Sequence, residues 1–285
     1  MIPSRLPRPA RPEAGEAVQT PLGDPDFMLS LARGLAAVRA FGRGDSQLSV
    51  ADVARLAGLS RASARRCLHT LAVLGYATAA NGRYELTPAI LTLGQAYLSS
   101  MSVARIAQPV LERVSDELHE SSSVAVLDGD EIVYVARAAA RRILAISLAV
   151  GSRLPAACTS MGCVLLAAAD PDDRARFLRR VKLPRYTART ITDKTALAAE
   201  LDAVRTQGYA IVDQELELGL RSCAVPIARP DGTVVAALNV GAHAARADAL
   251  TLRREVVPLL RKAADEIGAA LAAPREHRAP AGRVV

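Results

Sequence analysis

The stretch LSVADVARLAGLSRASARRCLHTL, residues 48–71, leaves the chain little freedom. Ser49 and Asp52 make an S-x-x-D capping box, Val53, Ala54 and Leu56 supply a short apolar face, and Gly58 closes that helix. Ser60 caps the next one, in which Ala64, Cys67, Leu68, Leu71 and Leu74 recur at helical spacing. Its opposite side carries Arg61, Ala62, Arg65, Arg66 and His69, without an acid among them. Two helices joined by so short a glycine-bearing turn form a helix-turn-helix, and the arginines of the second must face outward.

The flanks extend this reading. From Phe27 a helix is expected on Leu29, Leu31, Leu35, Val38 and Phe41, ending at Gly42 and Gly44. After Gly75, YATAANGRYEL reads as two strands around Asn81-Gly82, a strong hairpin signal. Three helices and a hairpin make a winged helix-turn-helix. In that geometry the third helix enters the major groove of B-DNA, where a guanidinium fork can grip guanine or a phosphate. Arg61, Arg65 and Arg66 are the expected contacts, with Ser60, Ser63 and His69 beside them and Arg83 of the wing on phosphate.

Charge agrees with an acidic partner: the formal net charge is +7 and the pI about 9.6. Aromatic content of 3% without Trp leaves little for stacking unpaired bases, so duplex is favoured over single strands. The length of 285 residues suits two domains. No apolar run reaches the roughly 18 residues of a membrane span, and no apolar leader is visible, so a cytoplasmic protein is expected. Cys67, Cys158, Cys163 and Cys223 lack metal-ligand spacing and read as small buried hydrophobes. No metal site and no cofactor are expected.

Residues 1–25, with six prolines and three arginines, read as a disordered basic tail, either a DNA-brushing arm or a solvated leader. The winged domain is assigned to 26–88. A helical connector at 89–120 is expected to break near Ser99–Ser102 and at Pro109. Its Leu91, Leu93, Ala96 and Leu98 serve either a dimer seam or intramolecular packing.

The second domain, 121–273, changes character. SSVAVLDGDEIVYVARA is a strand pair across Asp128-Gly129, and RILAISLAV reads as another strand. TSMGCVLLAAA is a helix capped by Thr159 or Ser160, and helices follow near Pro171–Val181 and Asp193–Gln207. Strands return at YAIVD, RSCAVPIAR and TVVAALNV before a terminal helix from about Leu250 to Leu271 and a basic tail at 274–285. This order is α+β, an antiparallel sheet covered by helices. No nucleophile elbow, Walker loop, GxGxxG or HExxH occurs, and no His stands beside a plausible Ser or Cys partner, so an enzyme is not expected. A ligand pocket is the better expectation. Arg137, Arg141 and Arg142 offer either a carboxylate clamp or a solvated loop.

Long ordered segments, among them LSVADVARLAGLSRASARRCLHTL, YELTPAILTLGQAYL, ESSSVAVLDGDEIVYVARAAARRILAISLAVGSRLPAACTSMGCVLLA and GYAIVDQELELGLRSCAVPIARPDGTVVAALNV, resemble the IclR-type bacterial transcriptional regulators over about residues 27–273. Within that family, ESSSVAVLDGDEIVYVAR and DQELELGLRS are most similar to regulators of protocatechuate, 4-hydroxybenzoate and β-ketoadipate catabolism. The resemblance implies a winged-helix domain joined by a helix to a GAF-like effector domain, working as dimers or pairs of dimers on a promoter. It also implies a small-acid pocket at Ser160, Met161, Asp213, Ser222, Asn239 and Gly241, where some relatives place serines at the last two positions. Regulation of another pathway and an enzyme on a GAF-like fold are the competing readings.

Overall fold

A computed structural model describes residues 24–43, 45–100, 102–140 and 148–271. The chain divides after Ser100 into two compact units.

In the first unit α1 (Leu29–Ala40), α2 (Val50–Ala57) and α3 (Arg61–Val73) enclose a core of Ala36, Ala37, Ala40, Leu48, Val53, Ala57, Ala64 and Leu68. The Ser49–Asp52 box closes both ways, and Gly58 caps α2 at φ +63, a left-handed conformation that suits glycine. Strands β2 (Ala77–Ala80) and β3 (Arg83–Leu86) flank Asn81 and Gly82, both at positive φ, as a type I′ turn requires. An additional short strand, β1 (Gln47–Ser49), pairs with β3 to give a three-stranded order β1-β3-β2.

The apolar stripe expected on α1 is corrected. Its alanines face the core, whereas Leu31 and Leu35 are 57% and 51% exposed. Close approach of α1 to α2 and α3 admits only small residues there, and leucine spacing alone misplaces the buried face. Likewise Leu74 caps α3 and stays exposed.

The connector forms α4 (Leu91–Ser100) and α5 (Ser102–Leu118). Helix α5 runs through Pro109 without the expected break. Proline there costs roughly 3 kcal/mol, but burial of Val103, Val110, Leu111 and Val114 returns about 1.5–3 kcal/mol each. Arg105, whose carbonyl the proline leaves without its helical donor, lies on the exposed side.

The second unit is built on a six-stranded antiparallel sheet in the order β6-β5-β4-β9-β8-β7. Its strands are β4 (Ser121–Asp128), β5 (Glu131–Ala138), β6 (Arg153–Pro155), β7 (Ala210–Asp213), β8 (Leu220–Ala228) and β9 (Val234–His243). One face packs against α5 and α10 (Val257–Ala270), and the other against α6 (Ser160–Ala167), α7 (Pro171–Arg180) and α8 (Lys194–Gln207). Between β9 and α10 lie the single turn α9 (Ala249–Thr251) and a π-helical stretch, Leu252–Val256. The strand expected at RILAISLAV is not found at 148–150; its residues 142–147, with Arg141 and Arg142, lie outside the described residues. Both expected terminal tails lie outside them as well, apart from Asp24 and Pro25.

Candidate functional site

Two surfaces carry the expected chemistry. On α3, burial of Ala64 and Leu68 turns Arg61, Arg65, Arg66 and His69 to solvent. None of the three arginines has an ion pair among the described residues, in contrast to Arg55, which lies 3.7 Å from Asp52. Ser60 is engaged locally: its hydroxyl accepts from the Ser63 amide at 3.2 Å and donates to the Ser63 hydroxyl at 3.0 Å. Arg83 is exposed in the wing and donates to the Gln47 carbonyl at 3.0 Å, which braces β3 against β1. The result is a cationic helix face without ion pairs among the described residues, beside a wing that carries Arg83.

The second surface is a cavity of about 310 Å³ in the second unit, within the size range of small-ligand sites. Its floor is the sheet and its side is the start of α6. Thr159 caps that helix by accepting from the Gly162 amide, which presents Ser160 and Met161 to the cavity.

Arg137 reaches the same cavity through an irregularity. Ser122 to Val124 pair with Ala138 to Ala136, but Ala125 then pairs with Tyr134, so Val135 is an extra residue in β5. Val135 and Ala136 both turn toward α5, and Arg137 emerges on the face of Tyr134. Strict alternation from Tyr134 would have placed Ala136 in the cavity and Arg137 under α5.

Across the floor, Arg137 pairs with Ser123, Ser123 with Asn239, and Asn239 with Ala224. Two residues along, Ser121, Gly241 and Ser222 form the next row. The Arg137 guanidinium is half-buried and donates to the Ser123 hydroxyl at 3.1 Å; it has no carboxylate partner among the described residues. Burial pulls its pKa down, as expected of a cation without a counter-ion. The Ser160 hydroxyl and Asn239 Oδ1 are buried without a hydrogen-bond partner among the described residues. Tyr134 lines the wall, its phenol pKa raised by burial. At the rim His243 Nδ1 accepts from the Ala245 amide at 3.2 Å, and Arg246 pairs with Glu120 at 3.3 Å.

Of the residues expected in the pocket, Ser160, Met161, Ser222, Asn239, Gly241 and Arg137 line the cavity. Asp213 does not. Its carboxylate accepts from Arg221 at 2.8 Å and from Gln214 at 3.1 Å, and pairs with Arg189. Arg221 in turn donates to the Ala244 and Ala247 carbonyls, so Asp213 braces the end of β7 rather than facing a ligand. The hydrogen bond from Arg221 is the main cause of its lowered pKa. Ser123, Tyr134 and His243 were not singled out from the sequence. Alternation along SSSVAV pairs Ser123 with the positions of Ser121 and Ala125, a signal that could have found Ser123.

The three buried cysteines stay protonated: burial pushes the Cys158 and Cys223 thiols up to about 12, and Cys163 higher still. Among the described residues no group of acidic, His and Cys side chains could hold a metal ion, and no helix is long and apolar enough to cross a membrane.

Comparison with known proteins matches this layout. Residues 30–80 match the IclR helix-turn-helix domain, and residues 95–269 match the bacterial transcriptional regulator IclR C-terminal domain. The Pca regulon regulatory protein of Pseudomonas putida is 46% identical over 273 residues, 92% of this chain and 94% of that protein. A regulator from Rhodococcus sp. RHA1 of known structure is 47% identical with a TM-score of 0.76, covering 85% of this chain and 97% of the other. An IclR homolog from Microbacterium hydrocarbonoxydans, solved in complex with 4-hydroxybenzoate, is 28% identical with a TM-score of 0.72 over 84% of this chain and 97% of its own. A winged helix-turn-helix unit, an α+β unit with a cavity on one sheet face, and matches to both family domains place this chain in the IclR family of bacterial transcriptional regulators.

Proposed function

We propose that this regulator binds promoter DNA through α3 and its wing and senses a small organic or aromatic acid in the cavity, controlling aromatic-acid catabolism of the β-ketoadipate type. The observation that carries the ligand reading is a cluster of unmet demands. Among the described residues Arg137 lacks a carboxylate, and Ser160 Oγ and Asn239 Oδ1 lack partners, all around one cavity. Buried polar atoms without partners cost about 1–3 kcal/mol each, so an occupant that supplies a carboxylate and hydrogen-bonding groups is favoured. The start of α6 adds backbone N–H groups suited to an anion. The 4-hydroxybenzoate bound to the Microbacterium hydrocarbonoxydans relative belongs to the same ligand class.

Arg61, Arg65 and Arg66 supply the duplex contacts, with His69 and Arg83 at the margin and Ser60 and Ser63 fixing the helix start. Two copies present two such helices to successive half-sites, and exposed Leu91 and Leu93 on α4 favour pairing as a dimer or a dimer of dimers; the side chains of Ala96 and Leu98 lie outside the described residues. The domain boundaries follow: DNA binding over 26–88, a helical link over 89–120 and effector binding over 121–273. Acid binding alters DNA affinity through differential affinity for two conformers, typically about 1–3 kcal/mol of coupling. Gln108 on α5 donates to the Arg137 carbonyl at 3.4 Å, which ties the clamp strand to the helix that follows the first unit in sequence.

The test is fluorescence anisotropy on the chain's own upstream DNA with and without protocatechuate, 4-hydroxybenzoate and β-ketoadipate. A shift in the DNA titration of about fivefold or more with at least one acid is expected. DNA binding indifferent to all three, with none stabilising the protein, would overturn the proposal.

A further inference from the structure

The three arginines of α3 do not share one place on the helix. Ala64 and Leu68 are fully buried and Cys67 and Leu71 half-buried, and together they form the inner arc. At about 100° per residue, the positions diametrically across from that arc are Ala62, Arg66, His69 and Val73, which run along one line and are all exposed. Arg61 and Arg65, within about 40° of each other, lie on one flank between that line and Leu68. Ser63 and Thr70 lie on the other flank.

Line and flank meet different parts of a duplex. A helix with its side chains is about 10–12 Å across and the major groove about 12 Å wide, so the helix fills the groove from wall to wall. The outward line then faces the floor, where the base edges lie, and each flank faces a wall of sugar and phosphate. On the line, the Arg66 guanidinium has neither a hydrogen bond nor an ion pair among the described residues. A helical side chain leans toward the N-terminus over the preceding turn, so Arg66 extends over Ala62. Ala62 offers only a methyl, and the guanidinium passes it to the floor unobstructed. The flank hydroxyls are engaged within the helix: Ser63 Oγ accepts from Ser60 Oγ at 3.0 Å, and Thr70 Oγ1 donates to the Arg66 carbonyl at 2.9 Å.

We propose that Arg66 is the arginine that reads sequence: its guanidinium fork takes O6 and N7 of one guanine, Ala62 is small to clear its path, and Arg61 and Arg65 hold phosphates of a single strand without sequence information. The fork matches the two acceptors of guanine, whereas adenine presents a donor beside its N7. This rests on the DNA-binding reading above and names what each arginine of that surface recognises.

Fluorescence anisotropy of the full chain tests it with three duplexes: the chain's own upstream DNA, the same DNA with 7-deazaguanine for guanine, which removes the N7 acceptor, and a random duplex of equal length. The wild type should bind the first about fivefold or more tighter than the second, the loss of one hydrogen bond to a charged donor. Arg66→Ala and Arg66→Lys should both lose that difference, although the lysine variant keeps its charge and with it the affinity for random duplex. Arg61→Ala and Arg65→Ala should weaken all three duplexes alike, lower the salt slope by about 1 each and keep the guanine preference. Ala62→Leu should weaken the upstream duplex and spare the random one. A guanine preference that survives in both Arg66 variants, is lost in the Arg61 or Arg65 variant, or is absent from a wild type that binds duplex would overturn the assignment. A wild type that binds none of the three duplexes would instead end the DNA-binding reading itself.

Discussion

Replacing Arg137 with methionine tests whether its guanidinium exists for a ligand or for the fold. The side chain is half-buried, makes one hydrogen bond, to a serine hydroxyl at 3.1 Å, and has no acid beside it among the described residues. A structural arginine would have its charge answered by the protein. A bidentate carboxylate contact is worth two charge-assisted hydrogen bonds at about 1.5–3 kcal/mol each before desolvation, so a net loss of roughly 3 kcal/mol, about 100-fold in affinity, is expected. Differential scanning fluorimetry reads this directly. With acid at 100 times the wild-type dissociation constant, stabilisation is about 2.7 kcal/mol, or roughly 5–10 °C for a unit of this size. A 100-fold weaker variant at the same concentration gains about 0.4 kcal/mol, near 1 °C. Unliganded Arg137→Met should melt at or above wild type, because an unanswered cation has been removed. Arg137→Lys keeps charge but loses the fork and should fall between the two. A full ligand-induced shift in the methionine variant, or a large loss of stability without ligand, would refute the reasoning.

Three further outcomes follow from particular contacts. Arg65→Ala should either abolish discrimination between operator and random duplex, as expected for a base contact, or weaken all duplexes alike and lower the salt slope by about 1, as expected for a phosphate contact; no change in titrations across salt concentrations would remove α3 from the interface. Asp213 has a depressed pKa, so its stabilising contribution is present above the ordinary aspartate value of about 3.9 and is lost as pH falls through the folded value; the stability gap between wild type and Asp213→Asn, measured by urea unfolding, should hold from pH 7 to 5 and close in stronger acid. Gly162→Ala should cost about 1–3 kcal/mol or more in the same assay, because the new methyl must displace the Ala156 carbonyl.

Local chemistry made the first unit readable. The Ser49–Asp52 box, the left-handed Gly58 and the Asn81-Gly82 turn each act within a few residues, and each occurs where its residues are written. The sides of α3 follow from helical period alone. Most strands of the second unit were visible for the same reason, as apolar runs bounded by turn residues. Legibility failed where several partners compete for one position. The core side of α1 is alanine because neighbouring helices approach closely, and α5 passes Pro109 because its apolar side is clamped to the sheet.

The cavity shows the division most clearly. Sequence by itself determined the winged helix, the cationic side of α3 and the identities of the polar residues available in the second unit. Tertiary structure alone decided which of them share a space. One extra residue in β5 reverses the alternation and puts Arg137 over the floor, an event set by pairing with β4 and by packing against α5, not by any property of Arg137. Asp213, a plausible pocket acid by position, is instead held by Arg221 and Arg189, which lie 8 and 24 residues away in the chain. Strand register and long-range charge pairing depend on the whole fold, whereas caps, turns and helical sides depend on their neighbours.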